Sequence, residues 1–226
     1  MSETLDMVRW TLAELNAWPS RKRARAVNSL SGFKSATLVG TSDTLGVHNL
    51  SVISSVVHLG SNPAQMGMVL RPPGVDAHTY KNLKATGQCT FNHIGVNWVS
   101  QAHQCSARYP EEVSEFEAVG LTPRAVEGTW KAPAVEESRV RMGLTLAEDI
   151  ILPNACHFMV LDVRWVEVDA TTVAEDGYVD LVAAGSAAIS GLDGYHETTH
   201  LGRFSYAKPD RCVEVLHKVL TGWDDV

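Results

Sequence analysis

The sequence predicts a mainly β domain with peripheral helices, in which the sheet closes or nearly closes on itself. Two observations support this fold class. Runs of β-branched and apolar residues, interrupted by turn residues, recur from Lys34 onward, and helical periodicity is confined to short stretches. An antiparallel sheet of many strands has to protect its unpaired edges, and closure removes those edges. We therefore expect a barrel-like arrangement.

Length and composition are those of one folded domain with appendages. The chain has 226 residues, of which 45% are hydrophobic, and this is enough to bury a sizeable core. We expect a helical appendage over residues 1–30 and the main domain over residues 31–209. A C-terminal helix is expected over residues 210–226 and should pack on the same domain.

The N-terminal appendage is predicted to be a single helix. Apolar residues recur at spacings of three and four between Leu5 and Ala17, and Ser2 or Thr4 could cap the first turn. Pro19 ends this helix because proline cannot continue it. The basic cluster Arg21–Arg25 that follows is too short for a nucleic-acid-binding arm and is predicted to be a solvated turn.

The main domain begins with a hairpin, whose strands Ser35–Thr41 and Val47–Leu59 are joined by the turn residues Asp43–Gly46. Between Trp98 and Ala118, one helix is predicted to start near Pro110. Proline and the acidic residues that follow it are favoured in the first turn of a helix. The elements predicted after the hairpin are, in chain order, a strand at Gln65–Leu70, a helix at Thr79–Thr86 closed by Gly87, a strand at Cys89–Ile94, two short helices between Trp98 and Ala118, strands at Val140–Ile151, Phe158–Val168 and Tyr178–Ala183, and a helix at Asp210–Thr221.

Charge and cysteine content restrict the partners and the compartment. The net charge of −7 supplies no basic field for nucleic acid or for an anionic membrane surface. The first residues contain no apolar run of signal-peptide length, and no stretch is long and apolar enough to span a bilayer. The four cysteines form no Cys-x-x-Cys pair. We expect a soluble, cytoplasmic protein with reduced thiols that binds neither nucleic acid nor membrane.

The sequence lacks the motifs of the most common nucleotide-binding and acyl-transfer sites. It contains no Gly-x-Gly-x-x-Gly after a predicted strand and no phosphate loop of the NTPase type. It also contains no Gly-x-Ser-x-Gly, the motif that exposes a nucleophilic serine at a sharp turn. These absences argue against a Rossmann domain, an NTPase and an α/β-hydrolase.

One metal-binding pattern is present, because the five residues from His196 to His200 read His-Glu-Thr-Thr-His. On a helix this pattern places two zinc ligands on one face, with Glu197 as the general base. Glycines surround the segment, its two spacer residues are β-branched, and Arg203 stands where the longer zinc-protease motif has glycine. We therefore expect a loop with no bound metal, and a zinc metallohydrolase is the less favoured alternative.

A second set of polar residues suggests a phosphate-binding site. Arg71 follows a buried strand, and Thr79 and Asn82 lie at the start of a short predicted helix, whose first N–H groups and dipole favour an anion. The segment from Val47 to Ser55 is rich in hydroxyl and amide side chains. Arginine, hydroxyl donors and a helix N-terminus together can bind a phosphate, although they do not identify its carrier.

With these residues in place, the sequence resembles the flavin reductase-like family, the FMN-binding split β-barrels that include flavin reductases and flavoredoxins. The resemblance extends over about residues 30–207 and depends on the order and spacing of several segments rather than on any one of them. The segments are Ser31–Gly40, Asn49–Val57, Arg71 with His78–Asn82, Gly87–Asn92, Glu115–Thr122 and Ser190–His196.

The resemblance implies a site for non-covalent FMN at a homodimer interface. Asn49, Leu50 and Ser51 would lie alongside the isoalloxazine ring, and their backbone groups would contact its polar edge. A second group would bind the ribityl chain and the phosphate, and Asn92, with His93, would close the far wall. This second group consists of Ser54, Ser55, Arg71, Thr79 and Asn82.

The resemblance also implies an enzyme in which NADH or NADPH passes hydride to N5 of FMN and a small-molecule acceptor takes the electrons. His196 would then lie in a loop that reaches the flavin or a substrate. The segment from Val56 to Gly60 departs from that of many flavin reductases, so FMN binding is better supported than nicotinamide oxidation. An electron carrier or flavin store without nicotinamide turnover is the alternative.

Overall fold

Fourteen strands form the framework of the protein in a computed structural model that describes residues 6–74 and 77–218. In chain order they are β1 (Lys34–Ser35), β2 (Thr37–Ser42), β3 (His48–Ile53), β4 (Val57–Ser61), β5 (Ala64–Leu70), β6 (Gln88–His93), β7 (Pro123–Arg124), β8 (Ala134–Val135), β9 (Val140–Ile151), β10 (His157–Val168), β11 (Ala188–Ser190), β12 (Gly194–His196), β13 (Gly202–Phe204) and β14 (Val215–Lys218). The helices are short and lie at the periphery: α1 (Leu12–Ala17), α2 (Ser20–Leu30), α3 (His78–Thr86), α4 (Val99–Gln104) and α5 (Glu115–Val119). A mainly β chain with peripheral helices is thus confirmed.

Seven of the strands form one antiparallel sheet in the order β3-β2-β6-β9-β10-β5-β4. Its two edge strands, β3 and β4, are consecutive in the chain and are joined only by residues 54–56. A smaller sheet, β1-β11-β12, continues from the start of β2. The remaining strands form the pairs β7-β8 and β13-β14.

Two hydrophobic cores lie on the two faces of the seven-stranded sheet. The inner core collects side chains from β2, β3, β5, β6, β9, β10 and α3, including Phe91, Leu144 and Met159. Because one face of six strands shares this single core, the sheet is curved around it. The outer core packs β2 and β3 against α4 and α5 through residues such as Leu50 and Phe116.

The predicted first hairpin is confirmed, and its turn has a clear physical cause. The Asp43 carboxylate accepts hydrogen bonds from the N–H groups of Leu45 and Val47 at 2.9 and 2.8 Å, which closes the turn between β2 and β3. The predicted second strand, however, ends at Ile53. Residues 54–56 interrupt it, so Val47–Leu59 contributes two strands at opposite edges of the sheet rather than one.

The N-terminal appendage contains two helices rather than one. Residues 6–11 are not helical and the first described helix begins at Leu12, because Thr11 and Glu14 form a capping box in which each side chain accepts a hydrogen bond from the other's backbone N–H. Leu5 and the predicted caps Ser2 and Thr4 lie outside the described residues. The turn predicted at Arg21–Arg25 is wrong, since these residues lie in α2. Pro19 both ends the first helix and starts the second, a position that its fixed φ favours.

Three other predicted elements differ. The strand predicted at residues 178–183 does not form. Val179 makes only an isolated bridge with Val173, and a turn follows in which the Asp180 carboxylate accepts hydrogen bonds from the N–H groups of Val182 and Ala183, both at 3.0 Å. The helix predicted from Pro110 begins at Glu115. The predicted C-terminal helix is wrong in its described part, because Val215–Lys218 is a strand that pairs with β13, and residues 219–226 lie outside the described residues.

Most other predictions hold. The strands near 65–70, 88–93, 140–151 and 157–168 are confirmed, as are the two short helices between residues 98 and 118. Helix α3 ends at Gly87, whose φ of +70° is the left-handed conformation that glycine adopts at low cost. Within the described chain, no helix has the length and apolar character needed to traverse a lipid bilayer.

Candidate functional site

Strand β3 carries three of the predicted site residues along an edge of the central sheet. Asn49 and Ser51 pair with Thr41 and Val39 of β2, and they face the same side as the inner core. The side chain of Leu50 points the other way, into the outer core. The edge therefore presents polar side chains toward α3 and an apolar side chain toward α4 and α5.

A buried hydroxyl and amide network connects β3 to α3. The Thr79 hydroxyl lies 3.0 Å from Asn49 Oδ1 and 2.8 Å from Ser51 Oγ. The Thr41 hydroxyl donates to the same Asn49 oxygen at 3.4 Å, and Asn82 Nδ2 donates to Thr41 at 3.3 Å. The structure thus brings together four residues that the sequence placed in one site, namely Asn49, Ser51, Thr79 and Asn82.

Glu115 is the main residue of this region that the sequence-based prediction missed. It is only 5% exposed, and its Oε2 accepts hydrogen bonds from Asn49 Nδ2 at 2.8 Å and from the backbone N–H of Leu50 at 2.9 Å. The available signal was an acidic residue directly before Phe116 on the apolar side of a predicted helix. A carboxylate is rarely buried unless it has such partners.

The N-terminus of α3 has no side-chain cap among the described residues. The residue before the helix is Ala77, which cannot accept a hydrogen bond through its side chain, so the first N–H groups of this nine-residue helix keep their capacity for an anion. A small cleft opens beside it, between the β2–β3 turn and residues 111–113. The residues that line it include Asp43, His48, Asn49, His78, Asn82 and Glu111. Burial lowers the pKa of His48.

Ser54, Ser55 and Arg71 lie at the ends of the elements around this region. The Ser55 hydroxyl donates to the Val69 carbonyl at 2.9 Å and accepts from the Val69 N–H at 3.2 Å, so it ties the β3–β4 connection to β5. Ser54 is half-buried, and Arg71 is exposed directly after β5. Neither side chain hydrogen-bonds to another residue in the described ranges 6–74 and 77–218, and both are thus available to a ligand.

Asn92 is separated from the other predicted site residues. It is fully buried on the outer face of β6, where Nδ2 donates to the Leu38 carbonyl at 3.2 Å and to Thr90 Oγ1 at 2.9 Å. Its Oδ1 accepts from the Val135 N–H at 2.9 Å. These bonds anchor β8 on β6, and they leave the Asn92 amide no contact with the network at Asn49.

The His-Glu-x-x-His segment does not form the helix that a zinc site requires. His196 ends β12 and places Nε2 2.8 Å from Ser190 Oγ, while His200 lies within 3.7 Å of the Asp180 carboxylate. In the part of the chain that the structure describes, no three His, Cys, Asp or Glu side chains are placed to hold a metal ion. His196 packs edge-to-face on Phe33, in the small sheet, and has no contact with the network at Asn49.

A second cavity, of about 160 Å³, lies at the end of β6. His93 lines it, with Nδ1 3.3 Å from Ser186 Oγ. The loss of water around the imidazole lowers the pKa of His93 to about 4, so the ring is neutral at physiological pH. His93 pairs with Thr37 of β2, four residues from Thr41 on the same strand, so it lies away from the network on α3.

Comparison with known proteins identifies the family. The profile of the flavin reductase like domain matches residues 30–182, and the chain belongs to this family of flavin oxidoreductases. A comparison with curated proteins gave no match.

Solved structures agree with this assignment. A protein from Shewanella frigidimarina, described as a flavin reductase with a split barrel domain, is 46% identical, with a TM-score of 0.85 over 89% of this chain and all of that one. The flavoredoxin of Desulfovibrio vulgaris is 22% identical, with a TM-score of 0.65 over 79% of this chain and 92% of that one. An FMN-binding protein from Thermus thermophilus is 16% identical, with a TM-score of 0.60 over 74% of this chain and 89% of that one. The expected split-barrel fold is thus confirmed.

Proposed function

We propose that this protein binds FMN non-covalently between the edge of β3, the N-terminus of α3 and Arg71, and uses it in hydride transfer. The observation that carries the proposal is the network in which Thr79 of α3 joins Asn49 and Ser51 of β3, beside a helix N-terminus to which no side chain of the described residues 6–74 and 77–218 provides a cap. The Thermus thermophilus protein of the same fold binds FMN, which supports this choice of flavin.

The residues present fit the phosphate and ribityl parts of FMN. The exposed guanidinium of Arg71 and the first N–H groups of α3 are the donors that a phosphate dianion requires. Ser54, Ser51 and Asn82 supply hydroxyl and amide groups for the ribityl chain. Asp43 and Glu111 line the adjacent cleft and repel an anion, so the phosphate belongs on the Arg71 side of the helix.

The isoalloxazine ring would lie against the outer edge of β3. Because the Leu50 N–H points outward to Glu115, the N–H groups of Asn49 and Ser51 point inward to β2. The outward backbone groups that a flavin could reach are then the Leu50 carbonyl and the Val52 N–H. The Leu50 oxygen accepts from Asn49 Nδ2 at 3.4 Å and has a second lone pair for N3–H of the ring, and the Val52 N–H could donate to a ring carbonyl.

Bound FMN would supply the redox chemistry, as the acceptor at N5 of a hydride from NADH or NADPH. The chain's own role is to hold the flavin, to orient its face and to exclude water, and no side-chain acid or base is needed for the transfer. A small-molecule acceptor then takes the electrons.

We also propose a cytoplasmic homodimer. The edge strand β4 exposes Val57 by 45% and Leu59 by 40%, so apolar side chains lie at the open edge of the sheet. A second copy would cover this surface and complete the flavin site. The four cysteines in the described chain are unpaired, which fits a reducing compartment.

The visible spectrum of the purified protein tests the proposal. We expect the purified protein to show flavin absorption. If it is purified without flavin, added FMN should give the spectrum of a protein-bound flavin. NADH or NADPH should bleach this absorption under anaerobic conditions. Bleaching by dithionite but by neither nicotinamide would favour the electron carrier or flavin store. A colourless protein that does not bind added FMN would refute FMN binding.

A further inference from the structure

We infer that Glu115 is a positioning residue for the flavin site, an inference that rests on the proposed FMN binding at β3. Its carboxylate is nearly fully buried and lies on α5, outside the sheet and 65 residues from Leu50 in the chain. Both of its hydrogen bonds go to the strand proposed to carry the ring, and none goes to another helix residue.

The first effect of Glu115 is on the backbone of β3. An edge strand has a row of N–H and C=O groups without partners in the sheet, and these groups can shift with the strand. Glu115 fixes this edge at the Leu50 N–H, with an N···O distance of 2.9 Å. The Leu50 carbonyl, on the same side of the strand, is thereby held at a fixed position for N3–H of the flavin.

The second effect is on the Asn49 amide. A carboxylate can only accept, so the Asn49 NH₂ must face Glu115 and its Oδ1 must face Thr41 and Thr79. Both hydroxyls then have an acceptor for their protons at Asn49. Without Glu115 the amide is free to turn over, and the donor and acceptor pattern beside Ser51 changes.

Both bonds use the same oxygen, Oε2, so the site needs an acceptor there rather than a negative charge. The substitution Glu115→Gln would keep that acceptor, whereas Glu115→Ala would remove it. The matched control is Glu117, which lies two residues further along the same helix and is exposed.

The test is FMN titration by fluorescence quenching, with visible spectra of the bound flavin. We expect Glu115→Ala to weaken FMN about tenfold and to shift the flavin absorption, while Glu115→Gln stays within about threefold of wild type, as the loss and retention of two hydrogen bonds predict. Glu117→Ala should match wild type. Equal affinity in Glu115→Ala, or equal losses in the Gln and Ala variants, would overturn the inference.

A second variant separates positioning from simple support of the fold. Thr79→Val breaks the network on the far side of Asn49 without touching Glu115. If the two residues act through one amide, the losses of Glu115→Ala and Thr79→Val are non-additive in the double variant, whereas independent structural effects add. If Glu115→Ala does not fold by circular dichroism, Glu115→Leu takes its place, because leucine fills the buried space and also lacks the acceptor, and unchanged FMN affinity in it would overturn the inference.

Hydrogen exchange in the flavin-free protein distinguishes this inference from the proposed function. The Leu50 amide should exchange at least about tenfold faster in Glu115→Ala than in wild type, because its only described partner is lost. Wild-type protein that does not bind FMN would refute the proposed function, whereas an unchanged Leu50 exchange rate would refute the effect of the Glu115 hydrogen bond on β3.

Discussion

Single side chains hold helix α3 in place at both of its ends. Thr79 in its first turn bonds to β3, and further along the Asp149 carboxylate of β9 accepts from Tyr80 at 3.2 Å and from Lys84 at 3.0 Å. His157 bonds to the same carboxylate at 2.6 Å. Burial raises the pKa of Asp149, but these three hydrogen bonds outweigh it and the net shift is downward. The helix proposed to receive the phosphate is therefore fixed rather than loosely attached.

Arg71→Ala should weaken FMN binding by about 1–3 kcal/mol, because a charge-assisted bond to the phosphate is lost. Arg71→Lys should recover only part of this, since lysine keeps the charge but not the planar pair of donors. Fluorescence titration measures both. Arg25→Ala removes an exposed arginine from α2 and serves as the control. Unchanged affinity in Arg71→Ala would remove this residue from the site.

His93 should make the stability depend on pH. Its pKa falls from 6.5 to about 4 on folding, so the unfolded chain binds the proton more readily, and stability is complete above about pH 6.5 and decreases as the pH falls toward 4. Near pH 4.5, this residue lowers the free energy of unfolding by about 2–3 kcal/mol. Urea unfolding at about pH 7 and 4.5 measures the free energy of unfolding, and this free energy should fall less between the two pH values in His93→Gln than in wild type. An equal fall in the free energy of unfolding in both proteins would contradict the role of His93 in the pH dependence.

At the scale of elements, sequence periodicity identified the long strands and α3 but not the breaks between elements. Val140–Ile151 and His157–Val168 are long stretches rich in β-branched and apolar residues, with polar residues interspersed, so their local preference and their tertiary role agree. The division of Val47–Leu59 depends on the Ser55 bond to Val69, which joins residues 14 apart and leaves no local pattern. Pairing also overrode local preference at Val215–Lys218, where the partner is β13.

Gly40 of β2 shows how closely two elements approach. A Cβ at this position would lie 2.2 Å from the Pro133 carbonyl oxygen and 2.5 Å from Thr90 Oγ1, and the backbone atom cannot rotate away. Gly40→Ala should therefore destabilise the protein by about 2–4 kcal/mol in urea unfolding. Gly74→Ala, where nothing lies within 4 Å, should stay within about 0.5 kcal/mol of wild type. Equal stability of the two variants would contradict the close packing of β2 against residue 133.

At the scale of the whole molecule, the family and the split barrel followed from several short segments in the right order, while the assembly of the site did not. The resemblance placed Thr79 and Asn49 in one site, and the structure brings their side chains into contact. Glu115 was missed because its partners lie on a strand 65 residues earlier, and Asn92 was grouped with the site although its face of β6 is turned to β8. The register of a strand decides whether a side chain faces the site, because a shift of one residue moves it to the opposite face of the sheet.

The proposed homodimer is tested at the open edge of the sheet. Val57 and Leu59 are both exposed on β4, with Leu59 at an irregularity in the pairing with β5, so Val57→Glu with Leu59→Glu places charge along that edge. We expect light scattering to give twice the mass of one chain for wild type and a shift to the single chain for the double variant. Val166→Glu, an exposed valine on β10, is the control. A monomeric wild-type protein would refute the homodimer.

The bond between Glu115 and β3 also has a consequence for biosynthesis. Leu50 leaves the ribosome well before the residue that holds its N–H, because 65 positions separate the two. The nascent chain therefore carries the first hairpin with its outer edge unprotected until α5 has been translated and docked. The proposed flavin uptake at this edge would then belong to the late phase of maturation, after residue 115 has left the ribosome.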